Sequence, residues 1–402
     1  MIQLNGTSER PCPVCQSHVG NVIYVQDFGK SQIIPIMGYS VTHCTNCGMI
    51  YADNLPTQAA INDYYSKLSR YDHAHREGKQ HDSDIIRLNS LAEYISGIVR
   101  IESTILDVGC STADLLAILK LKGYINLVGM DPSATSAEFA MKRHGIKVTT
   151  GVMKPRPNEY ERFDVVILSN VLEHIIEHKE FMESVLSWLK PNGLIITEVP
   201  DASKFHLSRN SPFQEFSVEH VNFFTPITLK NFMNQFGLNE IAPPYQTFHS
   251  IGPNLYAPIV DQSFQYTSKY SQLQSDKNGI SFLKEYINIC QESIKYEEKI
   301  IQDLLDSKTF FYIWGVGTMT LRLLQNTPLK SANIAAFVDS NPKYSGMMLN
   351  GKEIVAPEQL VFRDNLPILI SSWIFQNEIE NQIKNQLSLR NQIIKLRNDE
   401  NH

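Results

Sequence analysis

The stretch Ser103-Thr-Ile-Leu-Asp-Val-Gly-Cys-Ser-Thr-Ala-Asp-Leu-Leu116 constrains the fold of this chain more than any other. Ile105 to Val108 is a short apolar run suited to a buried parallel strand, and a turn of small residues, Gly109 to Ala113, then leads into a helix. Such a turn lets a ligand approach the backbone. The next apolar run, Asn126-Leu-Val-Gly-Met-Asp131, ends in a carboxylate about twenty residues on, where it can accept both hydroxyls of a ribose. A dinucleotide fold would show Gly-x-Gly-x-x-Gly at the turn. Here Gly109 is followed by Cys110, Ser111, Thr112 and Ala113, so a pyrophosphate ligand is disfavoured and a nucleoside is expected.

Alternation continues downstream: a helix from Ser133, a strand near Val148, a strand from Phe163 to Ser169, a helix, and a strand from Gly193 to Val199. Near-continuous apolar strands alternating with helices give a parallel, doubly wound sheet, with ligands at the carboxyl ends of its strands. Gly109, Asp131, Asn170 and Pro200 all fall there. These residues are similar to the motifs of class I S-adenosylmethionine (SAM)-dependent methyltransferases. Motif I of that family reads Asp-hydrophobic-Gly-Cys-Gly-x-Gly, matched by Asp107, Gly109 and Cys110, with Ser111 and Ala113 in place of two glycines. The resemblance assigns Asp131 and Pro132 to the ribose side. It assigns Asn170, Val171 and Leu172, in Ser169-Asn-Val-Leu-Glu-His174, to the methionine half of SAM.

Four of the six cysteines form two knuckles, Cys12-Pro-Val-Cys15 and Cys44-Thr-Asn-Cys47, separated by a stretch that suits a β-hairpin. Four thiolates at this spacing fit one tetrahedral Zn2+ in a structural site, since no ligand position is left open for water or substrate. Redox-active pairs are the rival reading. A second zinc pattern, His174-Ile-Ile-Glu-His178, has the H-x-x-E-H spacing of a peptidase, but it follows a strand end already accounted for by cofactor binding.

After Pro200 comes Phe213-Gln-Glu-Phe-Ser-Val-Glu219-His220-Val-Asn-Phe-Phe-Thr225, a Glu-His pair among aromatics, which suits a general base next to a transferable methyl. A satisfied buried histidine is the alternative. Upstream, Tyr65 and Tyr71 in a polar helical region are candidate proton donors, although aromatics at that spacing more often pack. Pro243 to Asn278 is expected to be loop-rich, and a long amphipathic helix is expected over Ile280 to Asp306. Phe310-Phe-Tyr-Ile-Trp-Gly-Val-Gly317 then opens a second strand, glycine turn and helix, with Asp339 ending the strand after it and a further strand at Leu366-Pro-Ile-Leu-Ile-Ser-Ser.

Over nearly its whole length this order resembles the sugar C-methyltransferases of deoxysugar biosynthesis. The resemblance implies an α/β protein of three parts: a zinc-binding module at 1–70, a Rossmann-like SAM domain at 71–245, and a second Rossmann-like, substrate-binding domain at 246–402. That family methylates C-3 of a nucleotide-linked 4-keto sugar, with acid and base groups from a Tyr-x-Glu-His motif and a histidine after the SAM strand. Glu219 and His220 match the pair and His174 the other histidine, while Ser217 stands at the tyrosine position beside Phe216. The expected chemistry makes His220 the base and Glu219 its orienting partner. His174 or a tyrosine would bond the enolate oxygen. The competing readings are an O- or N-methyltransferase on a sugar or other small metabolite, a non-catalytic zinc-bearing nucleotide-sugar-binding protein, and an NAD-dependent sugar oxidoreductase using the C-terminal unit.

At 402 residues, 43% hydrophobic and 19% charged, the chain has ample core for such an architecture. The net charge of -6 gives no general footprint for nucleic acid or an anionic membrane. With no apolar run long enough to span a bilayer and no basic-then-apolar start, a cytoplasmic protein is expected.

Overall fold

In the N-terminal segment, alternating side chains and tight turns build a small antiparallel sheet. The computed structural model describes residues 5–7, 9–31, 33–34, 36–67, 82–152, 162–252 and 255–397. Strands β1 (Asn5–Thr7), β2 (Val19–Asp27), β3 (Gly38–Cys44) and β4 (Ile50–Asp53) pair antiparallel in that order, and β2–β3 is the expected hairpin between the cysteine knuckles. Helices α1 (Gln58–Lys67) and α2 (Asp82–Ile98) follow.

The central sheet is built next. It contains β5 (Ile105–Val108), α3 (Asp114–Leu121), β6 (Leu127–Asp131), α4 (Ala134–His144), β7 (Val148–Thr150), β8 (Phe163–Ser169), α5 (His178–Trp188) and β9 (Leu189–Pro200). Strands β5 to β9 run parallel in the order β9-β8-β5-β6-β7, as the apolar alternation requires. A two-residue strand β10 (Asn222–Phe223), shortly after the Glu-His pair, pairs with β4 and so joins the N-terminal sheet. Helix α6 (Pro226–Asn234) carries a Thr225 capping box.

The structure corrects one expectation here. Instead of loop, the stretch after Pro243 holds two antiparallel strands, β12 (Tyr245–Gly252) and β13 (Leu255–Tyr266), which with β11 (Leu238–Glu240) extend the central sheet beyond β9. The sheet therefore runs to Tyr266, past the boundary expected at 245. The reason is visible in β13: its apolar start, Leu255 to Val260, is broken by Pro258 and then gives way to Asp261, Gln262 and Ser263, which are buried although polar, so the run by which a buried strand is recognised is cut short.

The amphipathic helix α7 (Gly279–Ser307) matches its expected span. It leads into a third sheet of β14 (Phe311–Trp314), β15 (Ile334–Val338), β16 (Met348–Leu349), β17 (Lys352–Val355), β18 (Ile368–Ile370) and β19 (Ile393–Lys395), with α8 (Thr318–Asn326) after β14. Its pairings are parallel except β16–β17. A buried ion pair, Arg322 to Glu297 at 2.7 Å, fastens α8 to α7.

Arg10 connects the first two sheets. Its guanidinium donates to the carbonyls of Ala52 and Val221 at 3.2 Å, of Ile176 at 3.3 Å and Ile175 at 3.4 Å, and to the Asn222 amide oxygen at 2.9 Å. One side chain thus ties β4, β10 and the segment after β8. Burial brings its pKa down to about 10, partly offset by Tyr51 and Asp53, so it stays charged at neutral pH. Arg10→Ala strips these acceptors of their donor, and about 2–3 kcal/mol of stability should be lost in urea unfolding. Arg10→Lys should recover little of it, because one ammonium cannot span the planar fork of contacts. Wild-type unfolding of either variant would show that the sheets hold together without this residue.

Candidate active site

The turn after β5 adopts a backbone that its side chains resist. Gly109 has φ +73°, and Ser111 and Ala113, which stand where glycines were expected, have φ +49° and +61°. The left-handed geometry is kept although the glycines are not, at about 1 kcal/mol or more for each such residue. At Gly109 a Cβ would lie 2.9 Å from Val171 Cγ2, so glycine is needed there for space as well.

Asp131, at the end of β6, holds this turn from the side. Its Oδ2 accepts from the Ser111 amide and its Oδ1 from the Ser133 amide, both at 2.8 Å. The third sheet repeats the arrangement. There Asp339 Oδ2 accepts from the Val316 amide at 3.0 Å and Oδ1 from the Asn341 amide at 2.8 Å, while Gly315 donates to the Val338 carbonyl as Gly109 does to Met130.

Cys110 and Leu172 belong to the core by their side chains, so each can offer a ligand only its backbone. Pro132 is half-buried beside Asp131. Asn170 takes φ +52° and its amide donates to the Glu198 carbonyl at 2.8 Å, which turns the chain from β8 toward Val171.

Near the turn lies a group of carboxyls of which the sequence singled out only Asp107. Asp107 is buried, and burial with the nearby Asp131 charge pushes its pKa up to about 8, against a smaller lowering by Arg87. Arg87 on α2 pairs with Glu198 on β9 and donates to Ser169 Oγ at 3.2 Å. Asp261 on β13 is likewise raised to about 8 by burial and by Glu198.

The second half of the site forms where the segment after β8 meets the Glu-His loop. His174 ends a short 3-10 turn, Leu172–His174, and its Nδ1 donates to the Glu219 carbonyl at 2.9 Å. Its ring stands edge-on to His220, centroids 5.0 Å apart. The Glu219 carboxylate accepts from Tyr64 at 2.9 Å. The loop is fixed from within by Ser217, whose hydroxyl accepts the amides of Glu219 and His220 at 3.3 and 3.1 Å.

Glu219, His220 and His174 are therefore brought together as the sequence implied. The phenol beside them is Tyr64 on α1. Tyr65 is the next residue of that helix, and its side chain lies outside the described part of the structure, as does the whole of Tyr71. Tyr64 was missed because adjacent tyrosines in one polar stretch cannot be told apart before the buried face of the helix is known. Glu173 was missed as well. It is buried, burial pushes its pKa up to about 8, and its carboxylate lies 3.8 Å from His174 Nε2.

The H-x-x-E-H spacing is not a metal site. His174 and His178 lie on different elements, and His178 is buried against Phe232, with its Nε2 3.1 Å from the Asn222 amide nitrogen. Burial, with the Arg10 charge, lowers its pKa to about 3.

In the N-terminal module, the sulfurs of Cys12, Cys15, Cys44 and Cys47 all lie within 4.8 Å of one another, with Cys12 to Cys47 and Cys15 to Cys44 at 3.5 Å. A tetrahedral ion with bonds of about 2.3 Å to sulfur needs similar separations, so the four residues fit one metal. All four are free cysteines rather than disulfides. Gly48, φ +85°, closes the second knuckle where a Cβ would lie 2.2 Å from the Asp276 carbonyl.

A family model described as a methyltransferase domain matches residues 65–242. That span holds the glycine turn, Asp131, His174 and the Glu-His pair. Residues 65–242 are a class I SAM-dependent methyltransferase domain. A second model, described as C2185-like, N-terminal, matches residues 308–394. Among curated relatives, ubiquinone biosynthesis O-methyltransferase of Bradyrhizobium diazoefficiens is 33% identical over 101 residues, covering 23% of this chain and 38% of the relative. The same enzyme of Rickettsia bellii is 30% identical over 135 residues, 32% of this chain and 55% of the relative. The chain thus spans roughly two fifths to half the length of these relatives. Among solved structures, magnesium protoporphyrin IX methyltransferase from Synechocystis PCC 6803 with bound S-adenosylhomocysteine aligns over 52% of this chain and 99% of its own, at 13% identity and TM-score 0.39.

In the methyltransferase domain the buried acid near the turn gives a pH signature. Asp107 has a folded pKa near 8 against about 4 unfolded, so unfolding releases its proton over that window and stability falls as pH rises from about 4 to 8. Asp107→Asn should be more stable than wild type at pH 8, and the two should converge below pH 4. Parallel pH-stability curves would show that Asp107 ionises in the folded protein as it does in the unfolded chain.

Proposed function

We propose that the chain is a SAM-dependent C-methyltransferase that acts on a nucleotide-linked keto-deoxysugar at C-3. The observation that carries this reading is the cluster of His174, His220, Glu219 and Tyr64 beside the methyltransferase sheet. Carbon becomes a nucleophile only when a base removes a proton next to a carbonyl and the enolate charge is held by a donor. Two imidazoles, a carboxylate and a phenol in contact supply those roles. In this reading His220 takes the proton, Glu219 and Tyr64 fix the loop's charge and shape, and His174, with Nδ1 held by the Glu219 carbonyl, faces the enolate oxygen when its Nε2 also carries a proton.

SAM supplies an electrophilic methyl when bound. Asp131 and the backbone of Gly109 to Ser111 would hold its nucleoside, with Pro132 alongside, and Asn170 to Leu172 would border its methionine end. Zinc at Cys12, Cys15, Cys44 and Cys47 would be structural, since four sulfurs leave no open position. The third sheet, with its Asp339 turn, would hold the nucleotide carrier. Ser217, in place of a tyrosine, works through the loop backbone, and Tyr64 provides the phenol from another element.

A second reading, O-methyl transfer to a small metabolite, is favoured by the names of the curated relatives. Oxygen needs no carbanion, so exchange of the substrate's carbon-bound hydrogen with solvent separates the two. For the proposed reaction, wild-type protein should exchange that hydrogen in deuterated water, and His220→Asn should lower both exchange and turnover by about 10²–10⁴-fold. A methylated product that still carries that carbon-bound hydrogen would establish the oxygen acceptor. For the cofactor, Asp131→Ala should weaken SAM binding by about 1.5–3 kcal/mol in calorimetry, the worth of charge-assisted hydrogen bonds to the ribose. Unchanged affinity would move the cofactor elsewhere.

A further inference from the structure

Glu173 places an acid where burial opposes its charge. Its side chain is 1% exposed, and neither carboxylate oxygen has a hydrogen-bond partner among the described residues. A buried carboxylate left so costs several kcal/mol unless a cation or proton meets it. What it faces is a pair of imidazoles: Glu173, His174 and His220 each offer a ligand atom, and the three atoms lie within 4.8 Å of one another.

We infer that Glu173, His174 and His220 form a binding site for a divalent first-row transition-metal ion. One carboxylate and two imidazoles suit Mn2+, Fe2+, Co2+ or Zn2+, and leave up to three positions of an octahedron for oxygen ligands. The supports are already in place. The His174 Nδ1 proton is donated to the Glu219 carbonyl, which leaves the Nε2 lone pair toward Glu173, the tautomer and orientation a ligating histidine requires. The backbone of Glu173 is pinned by the Val221 amide at 2.7 Å and that of His220 by Ser217 Oγ at 3.1 Å, so the ligands are carried on a fixed frame. The four-cysteine cluster on a separate element, being soft thiolates, prefers Zn2+ to Mn2+, so in the zinc-loaded chain it leaves Mn2+ to this site.

The inference rests on the acceptor pocket proposed above and replaces His220 as the base with His220 as an ion ligand, so the two assignments are alternatives. With the ion bound, the His220 lone pair is a metal ligand, and polarisation of the acceptor oxygen falls to the ion. The open positions favour an acceptor with two neighbouring oxygens, a hydroxyl beside a carbonyl or beside a second hydroxyl, which can chelate.

The test is a Mn2+ titration of the full chain, zinc-loaded at the cysteines, followed by the loss of the aqueous Mn2+ electron paramagnetic resonance signal. Wild type should bind one Mn2+ per chain. Glu173→Gln, which keeps the side-chain shape, and His174→Gln should each weaken binding at least about tenfold, while SAM calorimetry on the same samples verifies that the domain is folded. Superimposable titrations of wild type and Glu173→Gln, or no bound Mn2+ in wild type, would overturn the site. Should Mn2+ bind as described while no keto sugar is methylated, the ion site stands and the acceptor reading alone fails.

Discussion

Hydrogen bonds from one guanidinium hold the candidate site in register. Arg10 reaches β4 of the N-terminal sheet, the Val221 carbonyl directly after the Glu-His pair, and the carbonyls of Ile175 and Ile176 after His174. His174 and His220 are 46 residues apart in sequence and lie on short connecting segments outside the long strands and helices. Neither segment could fix its partner alone. The backbone groups that such segments leave unsatisfied must find donors, and a planar fork with several N–H groups meets more of them than any other side chain. The N-terminal module is thereby part of the site's scaffold, and β10 pairing with β4 extends the same connection.

Around the glycine turn the structure tolerates strain in exchange for shape. Ser111 and Ala113 keep left-handed backbones that Asp131 and the start of α3 impose on them. Their small side chains leave the approach to the backbone open, as glycine would. Gly129 serves the same end on the neighbouring strand, because a Cβ there would lie 2.6 Å from Cys110 Sγ.

Much of this was legible in the sequence for physical reasons. The apolar runs Ile105–Val108 and Phe163–Ser169 announce buried parallel strands, the paired knuckles announce four thiolates at one point, and Glu219-His220 stands out as charge among aromatics. Strands β12 and β13 were not legible, because a strand that carries Asp261, Gln262 and Ser263 on buried positions looks polar until its partners are known. Tyr64 could not be chosen over its neighbours without knowing where α1 packs. Glu173 carried no signal either, since a glutamate in a helical-looking stretch is expected to face water, and its burial follows only from the meeting of two distant segments. Arg10 lies just before the first cysteine and reads as an ordinary surface charge, yet its contacts are made with residues up to 212 positions away.

The carboxylate of Asp131 is already spoken for before any ligand arrives. Each of its oxygens accepts one backbone amide, and Asp339 does the same in the third sheet. Two turns of the chain share one latch, so an acid at a strand end in this architecture is first a fastener of the polypeptide. The turn is thereby shaped by its own carboxylate, and the entropy of fixing it has been met during folding. Such a turn keeps one shape on its own, and whatever meets it does so without having to reorder the sheet's edge.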